Sequence, residues 1–157
     1  MKYTAGEEIT NPKLNDRRGY DWTGASVRRV ATQAITSGTT TKVQLNSEVY
    51  DKGNNFDAVT NFQYTVPEAG QYLILASVDW ISPADQNQFV ARVYKNTSAG
   101  TEIACDGQSA SGTEDIFNRV HALADCVAND TIQLYVEHNA GVDRTLNSAC
   151  LFIIRIA

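Results

Sequence analysis

The run Tyr64-Thr65-Val66-Pro67-Glu68-Ala69-Gly70-Gln71-Tyr72-Leu73-Ile74-Leu75-Ala76-Ser77-Val78-Asp79-Trp80-Ile81 decides the fold class. On an extended chain, Tyr72, Ile74, Ala76, Val78 and Trp80 share one face, while Leu73, Leu75 and Ser77 occupy the other. The first face is apolar throughout and the second half-apolar, as in a central strand that is covered on one side and partly covered on the other. Pro67 fixes φ and withholds a backbone donor where the preceding strand ends, and Gly70 can take the positive φ that a tight return demands. The run therefore predicts a turn that feeds a long strand with two faces to hide.

Similar patterns extend in both directions. Upstream, residues 27–35 and 42–50 read as strands, with turns at 36–39 and at Asp51-Lys52-Gly53-Asn54-Asn55. Downstream, Phe89, Ala91 and Val93 oppose Val90, Arg92 and Tyr94; residues 102–105 form a short strand and 106–114 a loop of small polar residues. Residues 116–126 have the length of a helix, but Phe117, Arg119, His121 and Leu123 alternate with Asn118, Val120, Ala122 and Ala124, which favours a strand. A strand over 131–138, a long turn over 139–147 and an apolar strand over 150–157 complete the series. About eight or nine strands joined by turns, with no long helix, predict an all-β, two-sheet antiparallel sandwich.

The chain has 157 residues, 43% of them hydrophobic and 20% charged, which suits one folded domain with a single core. The net charge of −5 is uneven: residues 1–30 carry +2 and the remainder −7. An acidic body of this kind argues against nucleic acid or an anionic membrane as the main partner. No apolar run is long enough to span a bilayer, and Met1-Lys2-Tyr3-Thr4-Ala5-Gly6-Glu7-Glu8 lacks the apolar stretch of a secretory signal. Residues 1–26 read as an attachment arm ahead of a domain over 27–157. Pro12 could open a short helix there, and Tyr20 and Trp22 are aromatics that need somewhere to dock. Cys105, Cys126 and Cys150 are odd in number and widely spaced among small or apolar neighbours, so they read as reduced, mostly buried thiols.

Asp51-x-Gly53, Phe56-Asp57 and then Tyr64-Thr65-Val66-Pro67-x-x-Gly70-x-Tyr72 resemble the signature of the C1q and tumour-necrosis-factor-like jelly-roll domains. Asn129-Asp130-Thr131-Ile132 is similar to that family's Gly-Asp-x-Val element, with Asn129 in place of the glycine, and residues 150–154 resemble its closing strand. The resemblance covers roughly residues 27–157, rests on Tyr64, Pro67, Gly70 and Tyr72, and implies a jelly roll assembled as a compact homotrimer. No collagen-like stalk is present. Ala5-Gly6-Glu7-Glu8-Ile9-Thr10 with Leu14-Asn15 instead resembles the opening of bacteriophage tail-fibre and structural proteins. This implies a bacteriophage or bacterial fibre or head protein, attached to a larger virion assembly through residues 1–26.

Little chemistry is visible. Gly107-Gln108-Ser109-Ala110-Ser111 falls one residue short of a nucleophile elbow and lacks the strand–turn–helix setting such an elbow needs. His121 and His138 are the only histidines, and neither has zinc spacing with a cysteine, so both read as satisfied interior or interface residues. Asp51, Asp57, Asp79, Asp85, Asp106, Asp115, Asp130 and Asp143 could supply calcium oxygens only if several converged, so no cofactor is expected and calcium is the one metal to consider. Trp80 with Asp85, Gln86, Asn87 and Gln88 combines an aromatic with amides and a carboxylate, the chemistry of a receptor or glycan contact. The reading is a non-enzymatic adhesion or decoration head at a virion or extracellular surface, contacting a protein or glycan receptor. The alternative is a lectin-like bacterial module.

Overall fold

In the computed structural model, which describes residues 23–81, 83, 85–112 and 114–156, the period-two segments pair as twelve antiparallel strands. The expected arm helix, Tyr20 and Trp22 lie outside the described residues. The strands are β1 (Gly24–Arg29), β2 (Gln33–Ile35), β3 (Thr41–Lys42), β4 (Ser47–Lys52), β5 (Phe56–Asp57), β6 (Gln63–Thr65), β7 (Gly70–Ile81), β8 (Gln88–Lys95), β9 (Thr101–Ser109), β10 (Ile116–Cys126), β11 (Thr131–His138) and β12 (Arg144–Arg155). Sheet I has the order β10-β7-β12-β1-β4 with β2 also on β12; sheet II has the order β5-β6-β11-β8-β9 with β3 also on β11. The chain changes sheet repeatedly, as a jelly roll does. The core between the sheets takes Tyr72, Ile74, Val78 and Trp80 from β7, Leu151 and Ile153 from β12, and Phe89, Val93, Ile132, Leu134 and Val136 from sheet II.

Turn chemistry sets the path into β7. Tyr64 and Tyr72 are fully buried, with ring centroids 6.3 Å apart. The Tyr72 hydroxyl reaches back to donate to the Glu68 carbonyl at 2.9 Å, and Arg155 pins the same turn through Glu68 Oε1 at 2.9 Å and the Ala69 carbonyl at 3.0 Å. Gly70 corrects the sequence reading: it is the extended first residue of β7, opposite Cys126, and is not among the residues of positive φ. The left-handed turn that does matter here is at Asn129, φ 72°, where a short polar side chain tolerates the conformation that glycine adopts freely.

Several boundaries move. Strand β1 starts at Gly24, not near Val27, and the expected 27–35 strand divides into β1 and β2. The Arg29 guanidinium spans the break, donating to the carbonyls of Ala31, Thr32 and Gln44. The expected 42–50 strand likewise divides into β3 in sheet II and β4 in sheet I. Residues 106–109 are strand instead of loop, because β9 lies at a sheet edge, where small polar side chains suffice and pairing with β8 supplies the order. Strand β12 begins at Arg144, which shortens the expected 139–147 turn.

The two sheets are joined at one edge by Asn118, a residue with no exposed surface. Its Oδ1 accepts from Trp80 Nε1 at 3.0 Å, and its Nδ2 donates to the carbonyls of Phe89 at 3.2 Å and Asp106 at 3.1 Å. Asp106 also accepts from the Arg119 backbone N–H at 2.8 Å, so β9 and β10 are tied side chain to backbone. Replacing Asn118 with alanine strands the indole N–H and two carbonyls in the core, and the expected loss of stability is about 3 kcal/mol. Chemical denaturation measures it, and a loss below about 1 kcal/mol would show that the bridge does not hold the sheets together.

Candidate functional site

Register fixes what the outer face of sheet I displays. One row runs Leu123, Leu73, Ile154, Gly24; the next runs His121, Leu75, Phe152, Ser26, Tyr50; a third runs Arg119, Ser77, Cys150, Arg28. The first two rows form an apolar band across the sheet, and the third is polar, with Ser77 Oγ and Cys150 Sγ 3.1 Å apart. Leu73, Leu75 and Phe152 are half-buried and Leu123 is 59% exposed, while Ile154, at 7%, is buried. Among the described residues, no other element packs over this band.

The outer face of sheet II is different in kind. Arg92 pairs with Glu102 at 2.8 Å, Thr40 Oγ1 donates to Glu137 at 2.7 Å, and the Tyr135 hydroxyl donates to Gln133 Oε1 at 2.9 Å. Tyr94 meets Tyr135 edge-on at 5.4 Å, with Lys42 Nζ 5.6 Å from the Tyr135 ring centroid. Partial burial opposes ionisation of Glu102, but the hydrogen bond and charge of Arg92 outweigh it and hold the carboxyl below its usual range. This face satisfies its polar groups internally.

Trp80 and the polar run after it do not form one surface. Trp80 is fully buried, edge-on to Phe89 at 5.1 Å and to His138 at 5.6 Å, so it has no ring face to offer a ligand. Asp85, Gln86, Asn87 and Gln88 do sit at one end of the sandwich, where three loops bond to one another. Asp85 Oδ1 accepts from the Gly112 N–H at 2.7 Å, the Gln86 N–H donates to the Ala110 carbonyl at 3.0 Å, and the Gln88 N–H donates to Asn139 Oδ1 at 2.8 Å. Gln86 and Gln88 are exposed and Asn87 half-buried, so this end presents side-chain amides on a fixed backbone.

At the other end, Asp130 and Asn96 clasp two turns together. Asn96 Nδ2 donates to Asp130 Oδ1 at 2.7 Å while Asn96 Oδ1 accepts from the Thr131 N–H at 2.8 Å. Burial opposes ionisation of Asp130, yet Asn96, the Val127 N–H and Lys95 together hold its carboxyl below the usual range. Nearby acids are committed to their own chain in the same way, and among the described residues no group of three or more His, Cys, Asp or Glu gathers as a metal set. His138 is buried; its Nδ1 accepts from the Ala140 N–H and its Nε2 bonds the Ile35 carbonyl, so it is a satisfied core residue. His121 is exposed on the apolar band. All three cysteines are free: Cys126 is buried and Cys150 half-buried, but Cys105 is exposed, against the expectation of mostly buried thiols. Gly107, Gln108 and Ser109 lie in β9, and among the described residues neither histidine bonds to a serine.

Two solved structures share this arrangement. The globular domain of zebrafish complement 1qA protein superposes with a TM-score of 0.62 at 17% identity, covering 86% of this chain and 98% of that one. The fold is that of the C1q and tumour-necrosis-factor jelly rolls. The Eiger TNF of S. frugiperda superposes equally well, with a TM-score of 0.63 at 11% identity over 87% of this chain and 93% of its own. No family model and no curated protein matches the sequence. Among the described residues, the C1q/TNF-like sandwich has no helix long and apolar enough to cross a membrane.

Asn118 carried no assigned role in the sequence and Asp106 was expected only as a loop carboxylate that could meet calcium, because a lone polar residue carries no mark of the partner it will meet. The sequence did contain the apolar band, as the second face of β7.

A shallow cleft of about 540 Å³ lies beside the β4–β5 turn, lined by Glu48, Asn54, Asn55, Asp57 and Val59 among others. Its wall is shaped by Asp57, whose carboxylate accepts from the N–H groups of Val59, Thr60 and Asn61 at 2.8–3.1 Å. The Thr60 and Val59 amides lower its pKa from 3.8 to about 2. Because the folded pKa is depressed, the turn's stabilisation is complete above about pH 4 and is lost as pH falls through about 2. Hydrogen exchange at Val59, Thr60 and Asn61 is expected to lose protection across that window, and constant protection there would contradict the cap.

Proposed function

We propose that this chain is a non-enzymatic C1q/TNF-like recognition head that assembles as a homotrimer through the outer face of sheet I. The carrying observation is the incompletely covered apolar band of Leu123, Leu73, Leu75 and Phe152, set against the self-satisfied outer face of sheet II. Contiguous apolar surface on a folded domain marks an association site, and three identical copies arranged about an axis close such a surface without leaving an open end. With assembly assigned to that face, the exposed amides of Gln86 and Gln88, with half-buried Asn87 between them and Asp85 beside them, are the proposed receptor or glycan contact at the loop end, with Trp80 acting beneath them as core. The segment ahead of β1, within residues 1–26, is the proposed attachment arm to a virion fibre or other extracellular assembly. Its similarity to the opening of tail-fibre proteins supports that reading.

Light scattering is expected to give about 52 kDa, three times the 17.2 kDa chain. Leu75→Glu or Phe152→Glu places a carboxylate in the band and is expected to yield single chains with an unchanged β-sheet circular dichroism spectrum. A single-chain mass for the parent protein at micromolar concentration would refute the assembly.

A further inference from the structure

The apolar band contains one histidine. His121 opens the row that continues through Leu75 and Phe152, with Leu123 two residues along the same strand and Arg119 two residues the other way. It is exposed in the single chain and makes no hydrogen bond among the described residues. We propose that His121 makes the assembly acid-labile: three copies associate with the imidazole neutral and separate when it is protonated. The inference rests on the homotrimer reading and adds a regulator to the same face.

The physical case follows from what surrounds the ring. Covering the band transfers His121 from water to an apolar contact, where a neutral ring costs little and an imidazolium costs much more. Within the chain, no carboxylate stands opposite the ring. On β7 the residue opposite His121 is Leu75; Asp79 lies four residues farther along, opposite Phe117, where its Oδ2 accepts from Asn147 Nδ2 at 2.6 Å and its buried Oδ1 has no hydrogen-bond partner among the described residues. On β9, Asp106 is held by Asn118 and the Arg119 N–H, Glu102 is paired with Arg92, and Cys105 is a thiol whose pKa the Glu102 carboxylate raises. On β10 itself, Asp125 lies four residues away and accepts from Gln71 Nε2, whereas Arg119 brings a like charge closer. Imidazole is the side chain whose charge ordinarily changes between about pH 5 and 8, so acid adds a cation beside Arg119 in a contact that excludes water. Protonation is therefore coupled to dissociation, and stability of the assembly is present at neutral pH and lost on acidification.

The test compares the parent chain with His121→Gln, and with His121→Leu as a second variant, by sedimentation at about pH 7.5 and about pH 5, with circular dichroism to confirm folding. The parent is expected to be three-chain at the higher pH and to lose at least about tenfold in association constant at the lower one with its β-sheet signal intact, while both variants stay three-chain at both. A parent that remains three-chain at the lower pH, or variants that dissociate alongside it, would overturn the role of His121. Single chains for all three proteins at the higher pH would instead overturn the assembly reading on which the proposal stands.

Discussion

Strand β7 carries large side chains on both faces, and a strand at the centre of a sheet has to find cover for each of them. Sheet II covers Tyr72, Ile74, Val78 and Trp80 on the inner side, which fixes the sandwich. On the outer side, Leu73 and Leu75 find only Ile154, Phe152, Leu123 and His121 beside them in the same sheet. Lateral neighbours shield the flanks of an apolar side chain but leave its tip in water. The fold and the proposed assembly are thus two responses to one strand, the first made within the chain and the second between chains.

Around this apolar centre, the polar residues act as fasteners. Asn118 bridges the sheets at the β9–β10 edge, Asp130 and Asn96 clasp the turns at one end, and Asp85 with Asn139 orders the loops at the other. Each places an amide or carboxylate against backbone groups that strand pairing leaves over, which is how irregular segments remain buried without loss. At the opposite edge, Asp51 of β4 accepts from the Phe56 N–H of β5 at 2.8 Å, and the cleft beside Asp57 opens there.

The contrast between the two outer faces bears on function more than any single residue does. Arg92, Glu102, Glu137, Tyr94, Tyr135 and Lys42 complete one another on sheet II. On sheet I the side chains of Leu123, Leu73, Leu75 and Phe152 are apolar and form no such set, and the polar row of Arg119, Ser77, Cys150 and Arg28 marks where the band stops. A recognition head needs one face to assemble on and another region to present outward. In the proposed assembly these are the band of sheet I and the loop end at Asp85–Gln88, at separate places on the sandwich.

The sequence by itself determined the strand class, because alternation of apolar and polar residues is a local property of an extended chain. β7, β8, β10 and β11 could be read nearly to their ends, and the apolar half of β12 was visible as a strand over 150–157. Local pattern could not place residues whose role depends on a distant partner. Asp106–Ser109 became strand because β8 lay alongside, Gly70 proved extended because Cys126 lies opposite it, and Trp80 was enclosed by Phe89, His138 and Asn118 from three other strands. Only the tertiary structure decided what the second, half-apolar face of β7 would meet. Sheet II reaches the fully apolar face of Tyr72, Ile74, Ala76, Val78 and Trp80, and among the described residues the other face keeps only its lateral neighbours.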